Sequence, residues 1–235
     1  MPGLRTRGLF VTGTDTGVGK TRAAAGLIVA LRRCGWRVAG MKPVASGCET
    51  TPGGLRNADA LALQAASGLD LPYEWVNPYA FAPAIAPHIA AAEVGRLIRF
   101  AVITEAFERL ARKADCTVVE GVGGWRVPLG PDGDVAALAR RLQLPVVLVV
   151  GLRLGCLNHA ALTADAIRRS GLALLGWVAS AVDGNLARLQ ENLAALADVL
   201  PEPCLGILPH QPLADADDIA GEFAQGVLGC LRRMA

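Results

Sequence analysis

The sequence predicts an α/β fold: one domain with a mostly parallel sheet and helices on both faces. Three observations predict it. Short apolar runs alternate along the chain with longer helical patterns. The runs are continuously apolar rather than alternating, as in strands buried on both faces. No repeat, low-complexity tract or linker interrupts them, so residues 1–235 read as a single domain.

Leu9–Thr12 reads as the first buried strand. Thr21–Arg33 is rich in Ala, Leu and Ile, lacks Pro and stops at Gly35, which marks a helix with a glycine signal at its end. Arg37–Lys42 reads as the second strand, and Asn57–Ala66 as a helix capped by Asn57. Leu69–Pro87, rich in Pro and aromatic residues, reads as loop. Val102–Lys113 is a helix and Cys116–Glu120 a strand, followed by helix Asp134–Leu142 and strand Pro145–Gly151. Helix Asn158–Ser170, strand Leu172–Ser180, helix Leu186–Leu200, strand Cys204–Leu208 and helix Ile219–Arg233 complete the alternation. In such sheets ligands bind beyond the carboxyl ends of the strands, which directs attention to the residues after Thr12, Gly40, Val119, Val150 and Ala179.

Composition narrows the function. An apolar content of 52% and a mean hydropathy of +0.38 exclude intrinsic disorder. A net charge of +2, from 23 basic and 21 acidic residues, gives no footprint for nucleic acid or a membrane surface. No apolar run reaches the ~18 residues of a membrane span, and Leu9-Phe-Val is too brief for a secretory leader. The six cysteines are scattered without metal-ligand spacing and read as reduced, mostly core thiols of a cytoplasmic protein. Of the 23 basic residues only Lys20, Lys42 and Lys113 are lysine. Two of these sit in glycine- or proline-flanked loops, which reads either as a coding bias with a few stray lysines or as a need at both places for a compact ammonium rather than a planar guanidinium.

Gly13-Thr-Asp-Thr-Gly-Val-Gly-Lys20-Thr21 follows a strand and opens a helix, the setting of a phosphate-binding loop. Its backbone amides curl around phosphate oxygens, Lys20 reaches the terminal phosphates, and the Thr21 hydroxyl suits Mg²⁺. The first glycine lies one position earlier than the usual spacing, so the loop is a variant. Glu120 ends an apolar strand before Gly-Val-Gly-Gly124; alone it reads equally as a strand-end acid capping the next turn or as an acid on the Mg²⁺ side, and the phosphate loop favours the metal role. Pro43 holds Lys42 extended at the end of the second strand, its ammonium toward the first loop. Asp59, near a helix start, is equally readable as a first-turn acid. His88, His159 and His210 show no ligand spacing.

With these strings the chain resembles the dethiobiotin synthetases. Phe10-Val-Thr-Gly-Thr-Asp-Thr-Gly-Val-Gly-Lys-Thr21, Lys42-Pro-Val-Ala-Ser-Gly47, Gly54-Leu-Arg-Asn-Ala-Asp-Ala-Leu61, Val119-Glu-Gly-Val-Gly-Gly-Trp125 and Leu154-Gly-Cys-Leu-Asn-His159 occur in the family's order. The resemblance implies a P-loop fold and an ATP-dependent cyclo-ligase of biotin synthesis. Its substrates are 7,8-diaminononanoate, CO2 and a nucleoside triphosphate with Mg²⁺. One amine captures CO2 as a carbamate, ATP converts it to a carbamic–phosphoric anhydride, and the second amine closes the ring.

By position, the resemblance makes Lys20 and Lys42 the catalytic cations and Thr21, Asp59 and Glu120 the Mg²⁺ ligands. It puts Gly17, Val18, Gly19, Arg22, Gly121, Val122 and Gly123 around the nucleotide. Ser180, Ala181, Pro209, His210 and Gln211 fall on the base side. Thr16 and Ser46 meet the diamine or carbamate. Gly155, Cys156, Leu157 and Asn158 of a partner chain meet the substrate carboxylate, which implies a homodimer with its site at the interface. Two positions depart from the family: Gly17, where many members carry Glu, and Ser180, where many carry an adenine-reading Asn. The rival readings are a partitioning-type ATPase switch, whose signature lysine position is Asp15 here, and a small-molecule kinase, which leaves Lys-Pro-Val-Ala-Ser-Gly unexplained.

Overall fold

A computed structural model of the chain describes residues 8–182, 184, 187–210, 220 and 223. In chain order the elements are β1 (Gly8–Gly13), α1 (Lys20–Arg33), β2 (Val38–Met41), β3 (Val44–Ala45), β4 (Glu49–Thr51) and β5 (Gly54–Arg56). Next come α2 (Ala58–Ser67), α3 (Tyr73–Val76), β6 (Tyr79–Ala80), α4 (Pro87–Glu93), α5 (Phe100–Ala111), β7 (Cys116–Glu120), β8 (Pro128–Gly130) and β9 (Gly133–Asp134). The last are α6 (Val135–Leu142), β10 (Val146–Gly151), α7 (Cys156–Arg169), β11 (Leu174–Ser180), α8 (Leu189–Val199) and β12 (Cys204–Leu208). The helix expected over Ile219–Arg233 lies outside the described residues, apart from Ala220 and Phe223, which are helical and buried.

Six strands form one wholly parallel sheet in the order β12-β11-β10-β1-β7-β2. The continuous apolar runs divide between two cores by the strand's two-residue pleat. Phe10, Val146, Leu148 and Val150 face the side covered by α5, α6, α7 and α8. Leu9, Val11, Val147 and Val149 face α1, whose Leu27, Ile28 and Leu31 are fully buried. Each such side chain contributes roughly 1.5–3 kcal/mol of burial free energy. Strand β1 is therefore covered on both faces at the middle of the sheet, and the loop that leaves it stands on a rigid base.

Helix ends follow local chemistry. The Asn57 side chain accepts the Ala60 N–H at 3.2 Å and starts α2; Asp134 accepts the Ala137 N–H at 2.8 Å and starts α6. The segment expected as loop, Leu69–Pro87, instead contains α3, β6 and the first residue of α4. It is organised by the polar network around Asn77, which donates to the carbonyls of Lys42 (2.7 Å) and Tyr79 (3.1 Å) while Tyr73 Oη donates to it at 3.0 Å. The small pairs β3·β6, β4·β5 and β8·β9 were not expected from the sequence. Helix α7 begins at Cys156, two residues before the expected Asn158.

Cys48, Cys116 and Cys156 are buried, whereas Cys34 and Cys204 are exposed; all five are free thiols. Among the described residues no helix is long and apolar enough to cross a membrane.

Candidate active site

The carboxyl ends of β1, β2 and β7 open into one cavity of about 380 Å³. The β1–α1 loop supplies Thr16, Gly17, Gly19, Lys20, Thr21 and Arg22 to its wall. Beyond β2 come Lys42, Ala45 and Ser46; the start of α2 gives Asn57 and Asp59; β7 and the turn after it give Glu120, Val122 and Gly123. Segments far apart in sequence thus converge where the parallel sheet places its ligands.

The glycine loop turns into α1 through Gly19, whose φ of +87° is a conformation open to glycine. A Cβ there would also lie 2.6 Å from Ser180 Oγ. No side chain caps α1 and no acid stands in its first turn, so its free amides point into the cavity as an anion cradle. Lys20 is 7% exposed and donates through Nζ to the Asp15 carbonyl at 2.7 Å. Burial lowers its pKa to about 8, with the nearby Lys42 charge adding to the effect.

Lys42, 4% exposed, joins two carboxylates: Nζ donates to Asp59 Oδ2 at 2.9 Å and to Glu120 Oε1 at 2.5 Å. Its backbone N–H donates to the Val76 carbonyl at 2.8 Å, which fixes the stem of the side chain at the end of β2. Burial opposes the ammonium, but Glu120 and Asp59 together hold its pKa above the ordinary lysine value. Burial also raises Asp59, and the Lys42 charge overcomes it, leaving that carboxyl below its usual range. Glu120 is 1% exposed, and burial pushes its pKa up despite Lys42. Glu120 Oε1 also accepts the Thr21 hydroxyl at 3.0 Å, while Oε2 is buried with no partner.

The donor set fits a hard divalent cation. Thr21, Asp59 and the unpartnered Glu120 Oε2 are all oxygens, the chemistry Mg²⁺ selects. Among the described residues no group of three or more His, Cys, Asp and Glu could hold a metal. Two carboxylates and a hydroxyl suit an ion that takes its remaining ligands from water and phosphate.

Other expected residues lie outside this cavity. Ser180 is 1% exposed with its Oγ toward Gly19, so its side chain packs under the phosphate loop rather than along an open base groove. Ala181 and His210 meet through a 3.1 Å contact between His210 Nδ1 and the Ala181 carbonyl, and Pro209 accepts from Arg22 Nη2 at 3.0 Å. Gln211 lies outside the described residues. Val18 is 1% exposed beneath the loop, and Gly121 packs against Phe10 and Val135. The run Gly155–Asn158 starts α7, and none of its residues lines the cavity within the same chain. Beside it Leu154 is 97% exposed. A second hollow of about 400 Å³ lies between α6 and α7, but its Arg126 and Asp134 pair with each other at 2.7 Å and no phosphate loop reaches it.

Sequence reasoning did not find the ion pair between Asp15 of the phosphate loop and Arg153 after β10. Nor did it find that one ammonium would join Asp59 to Glu120. Both depend on which strands are neighbours, and no local pattern carries that.

Residues 7–217 match the family described as an AAA domain. The ATP-dependent dethiobiotin synthetase BioD of Pseudomonas aeruginosa (strain UCBPP-PA14) is 58% identical over 221 residues, 94% of this chain and 97% of that protein. The protein of the same name from Cellvibrio japonicus (strain Ueda107) is 54% identical over 214 residues, 91% of this chain and 94% of that protein. The chain belongs to the dethiobiotin synthetase family.

Solved structures give the architecture of the family a wider setting. The cell division ATPase MinD of Pyrococcus furiosus shares a TM-score of 0.55 at 16% identity, over 98% of this chain and 100% of that one. The MinC:MinD cell division complex of Aquifex aeolicus also gives 0.55 at 16% identity, over 96% of this chain and 94% of that one. Identity this low shows a shared P-loop fold and nothing of function. At Asp15, where a partitioning ATPase would carry its signature lysine, this chain has an acid paired to Arg153.

Proposed function

We propose that the chain closes the ureido ring of dethiobiotin from 7,8-diaminononanoate, CO2 and ATP, as the names of its relatives indicate. It is an ATP-dependent ligase of biotin synthesis. The observation that carries the residue-level reading is the buried Lys42 ammonium, fixed by Asp59 and Glu120 in the cavity that holds the phosphate loop.

One amine adds to CO2 and loses a proton to give a carbamate. A carbamate oxygen attacks the γ-phosphorus, and ADP leaves. The second amine attacks the carbamoyl carbon, loses a proton and expels phosphate. Carbamate and triphosphate are both anions, so cations must stand where they meet. Lys20 and Lys42 are those cations, and neither forms a covalent bond. The amides of Gly17–Thr21 hold the phosphates, with Val122 and Gly123 also lining the cavity. Thr16 and Ser46, in the same lining, contact the diamine or carbamate. Thr21, Asp59 and Glu120 would hold Mg²⁺, which would supply charge neutralisation for the phosphates when bound.

The carboxylate end of the diamine needs a second anion site. The uncapped start of α7 at Gly155–Asn158 is such a site, yet it lies outside its own chain's cavity. A second copy supplies it, seated over Leu154 and over Leu162, which is 63% exposed. The site is thus completed in a cytoplasmic homodimer. Leu154→Asp then gives a monomer by light scattering, with diamine-dependent turnover lost and ATP binding retained. A dimer with full turnover would rule out that surface.

The deciding assay is ADP release with and without diaminononanoate plus bicarbonate. Release that needs both supports the reading. Release indifferent to the diamine, or stimulated by DNA or lipid vesicles, overturns it in favour of an ATPase switch.

A further inference from the structure

The phosphate loop carries a negative charge of its own. Asp15 stands between Thr14 and Thr16, in a loop that must hold a polyanion, and a carboxylate there repels what the loop binds. The structure shows how that charge is met. Oδ1 accepts the Thr16 N–H at 2.7 Å, and Oδ2 pairs with Arg153 Nη2. Neither Asp15 nor Arg153 is among the residues that line the cavity. The carbonyl of Asp15 accepts the Lys20 ammonium at 2.7 Å. One residue thus gives Lys20 a resting place through its backbone while its side chain is occupied by an arginine.

Arg153 is itself fixed. It lies in the turn between β10 and α7. Before it, the Leu152 N–H donates to the Ser180 carbonyl at 2.7 Å; after it, the Cys156 N–H donates to its own carbonyl at 3.0 Å. The two loops run side by side because β1 and β10 are neighbours. Thr14 N–H donates to the Val149 carbonyl at 3.0 Å, and Gly151 N–H to Thr14 Oγ1 at 3.4 Å. Beyond Thr14 the polar tie between them, among the described residues, is the Arg153–Asp15 pair. The charges of Asp15 and Lys20 also act on each other, each favouring the other's charged form. A carboxylate released from Arg153 would compete with phosphate for the Lys20 ammonium. We propose that Arg153 is a positioning residue of the phosphate loop: it cancels the Asp15 charge and holds that carboxylate outside the cavity, which leaves Lys20 to the nucleotide. This rests on the nucleotide reading of the cavity given above, although Arg153 itself touches no phosphate.

Arg153→Met keeps the aliphatic stem and removes the charge. The Asp15 side chain is 50% exposed and that of Arg153 42%, so loss of the pair costs little stability and the variant folds. Its Kd for ADP, measured by calorimetry without the diamine, should rise about fivefold, the scale of one unpaired charge near a partly solvated site. The rise should shrink in about 1 M salt, which screens such charges. Asp15→Asn alone should bind ADP somewhat more tightly than the wild type. Combined with Arg153→Met it should restore the Kd to within about twofold of the wild-type value, because no charge is left to cancel. A loss that came from a distorted turn, or from the neighbouring Leu154 surface, would persist in the double variant, and that result overturns the proposal. So does a loss indifferent to salt. If the wild type binds ADP and Arg153→Met binds it equally well, this role fails and the nucleotide reading stands. If the wild type binds no ADP, both fail.

Discussion

Helices α1 and α7 are one device built twice. Each has 14 residues and follows a six-residue strand buried throughout, and the two strands are neighbours in the sheet. Each begins at a left-handed glycine, Gly19 at φ +87° and Gly155 at +94°, with no side-chain cap and no acid in the first turn. Each ends on a pair of arginines. What surrounds them differs. The start of α1 faces the buried Lys42 and Glu120 and the partly exposed Asp59, delivered by β2, β7 and α2. The start of α7 has Leu154 almost fully exposed beside it and open space around Gly155. An uncapped helix start attracts anions in either place. Chemistry belongs to the one whose neighbours bring cations and acids.

The sharpest way to break this contrast is at Lys42. Lys42→Arg should fail almost as badly as Lys42→Ala, because a planar fork cannot stand in for a point charge held between two carboxylates. The loss should be in kcat, on the order of 10²-fold or more. Near-normal turnover by Lys42→Arg in a chain that uses arginine almost everywhere else would remove the special role of that ammonium.

Glu120→Gln and Asp59→Asn come next. Both should raise the Mg²⁺ concentration for half-maximal rate, measured by titration, with the fold retained. Glu120 should matter more, because it is fully enclosed and carries the unpartnered oxygen, whereas the Asp59 side chain is 44% exposed. If Asp59→Asn costs a little thermal stability and no metal affinity, Asp59 is only a first-turn acid.

The two glycines sharpen the comparison itself. Alanine at either position is strained by about 1–2 kcal/mol at positive φ. At Gly19 it also collides with Ser180, 2.6 Å away, while at Gly155 it meets nothing within 4 Å. Thermal melting should therefore show the larger drop for Gly19→Ala, together with loss of nucleotide binding. Gly155→Ala should raise the KM for the diamine and spare that for ATP. Equal effects of both on nucleotide affinity would show that the α7 start acts in the same site as α1.

The smallest effect is expected at the base. Ser180 offers one short hydroxyl, and its burial against Gly19 turns that hydroxyl to the phosphate loop. ATP, GTP, CTP and UTP should show KM values within about tenfold, the range set by ~1.4 kcal/mol. A preference for ATP above a hundredfold would place base recognition in another group.

The sequence made the sheet and the phosphate loop legible because both are local signals. A continuous apolar run such as Val146–Gly151 announces a doubly buried strand, and Gly-Lys20-Thr after a strand announces its loop. Strand order was not legible, and with it went the meeting of Lys42 with Glu120, 78 positions apart in sequence. Nor did the sequence show that Asp59, readable as a helix-start acid, stands 2.9 Å from the Lys42 ammonium. The segment read as loop before α4 escaped because Asn77 organises it through the carbonyls of Lys42 and Tyr79, and no periodicity records such contacts. Ser180 was placed on the base side by the family resemblance; its side chain is buried with the hydroxyl beside Gly19.

The scarcity of lysine has a practical side. Lys20 and Lys42 are buried, which leaves Lys113 as the solvent-facing lysine. It stands between the end of α5 and the start of β7, at the amino end of the parallel strands. The cavity that holds the phosphate loop opens at their carboxyl end. An amine-reactive tether placed on Lys113 therefore attaches the molecule to a solid support by its back, with the mouth of the cavity turned toward the solution.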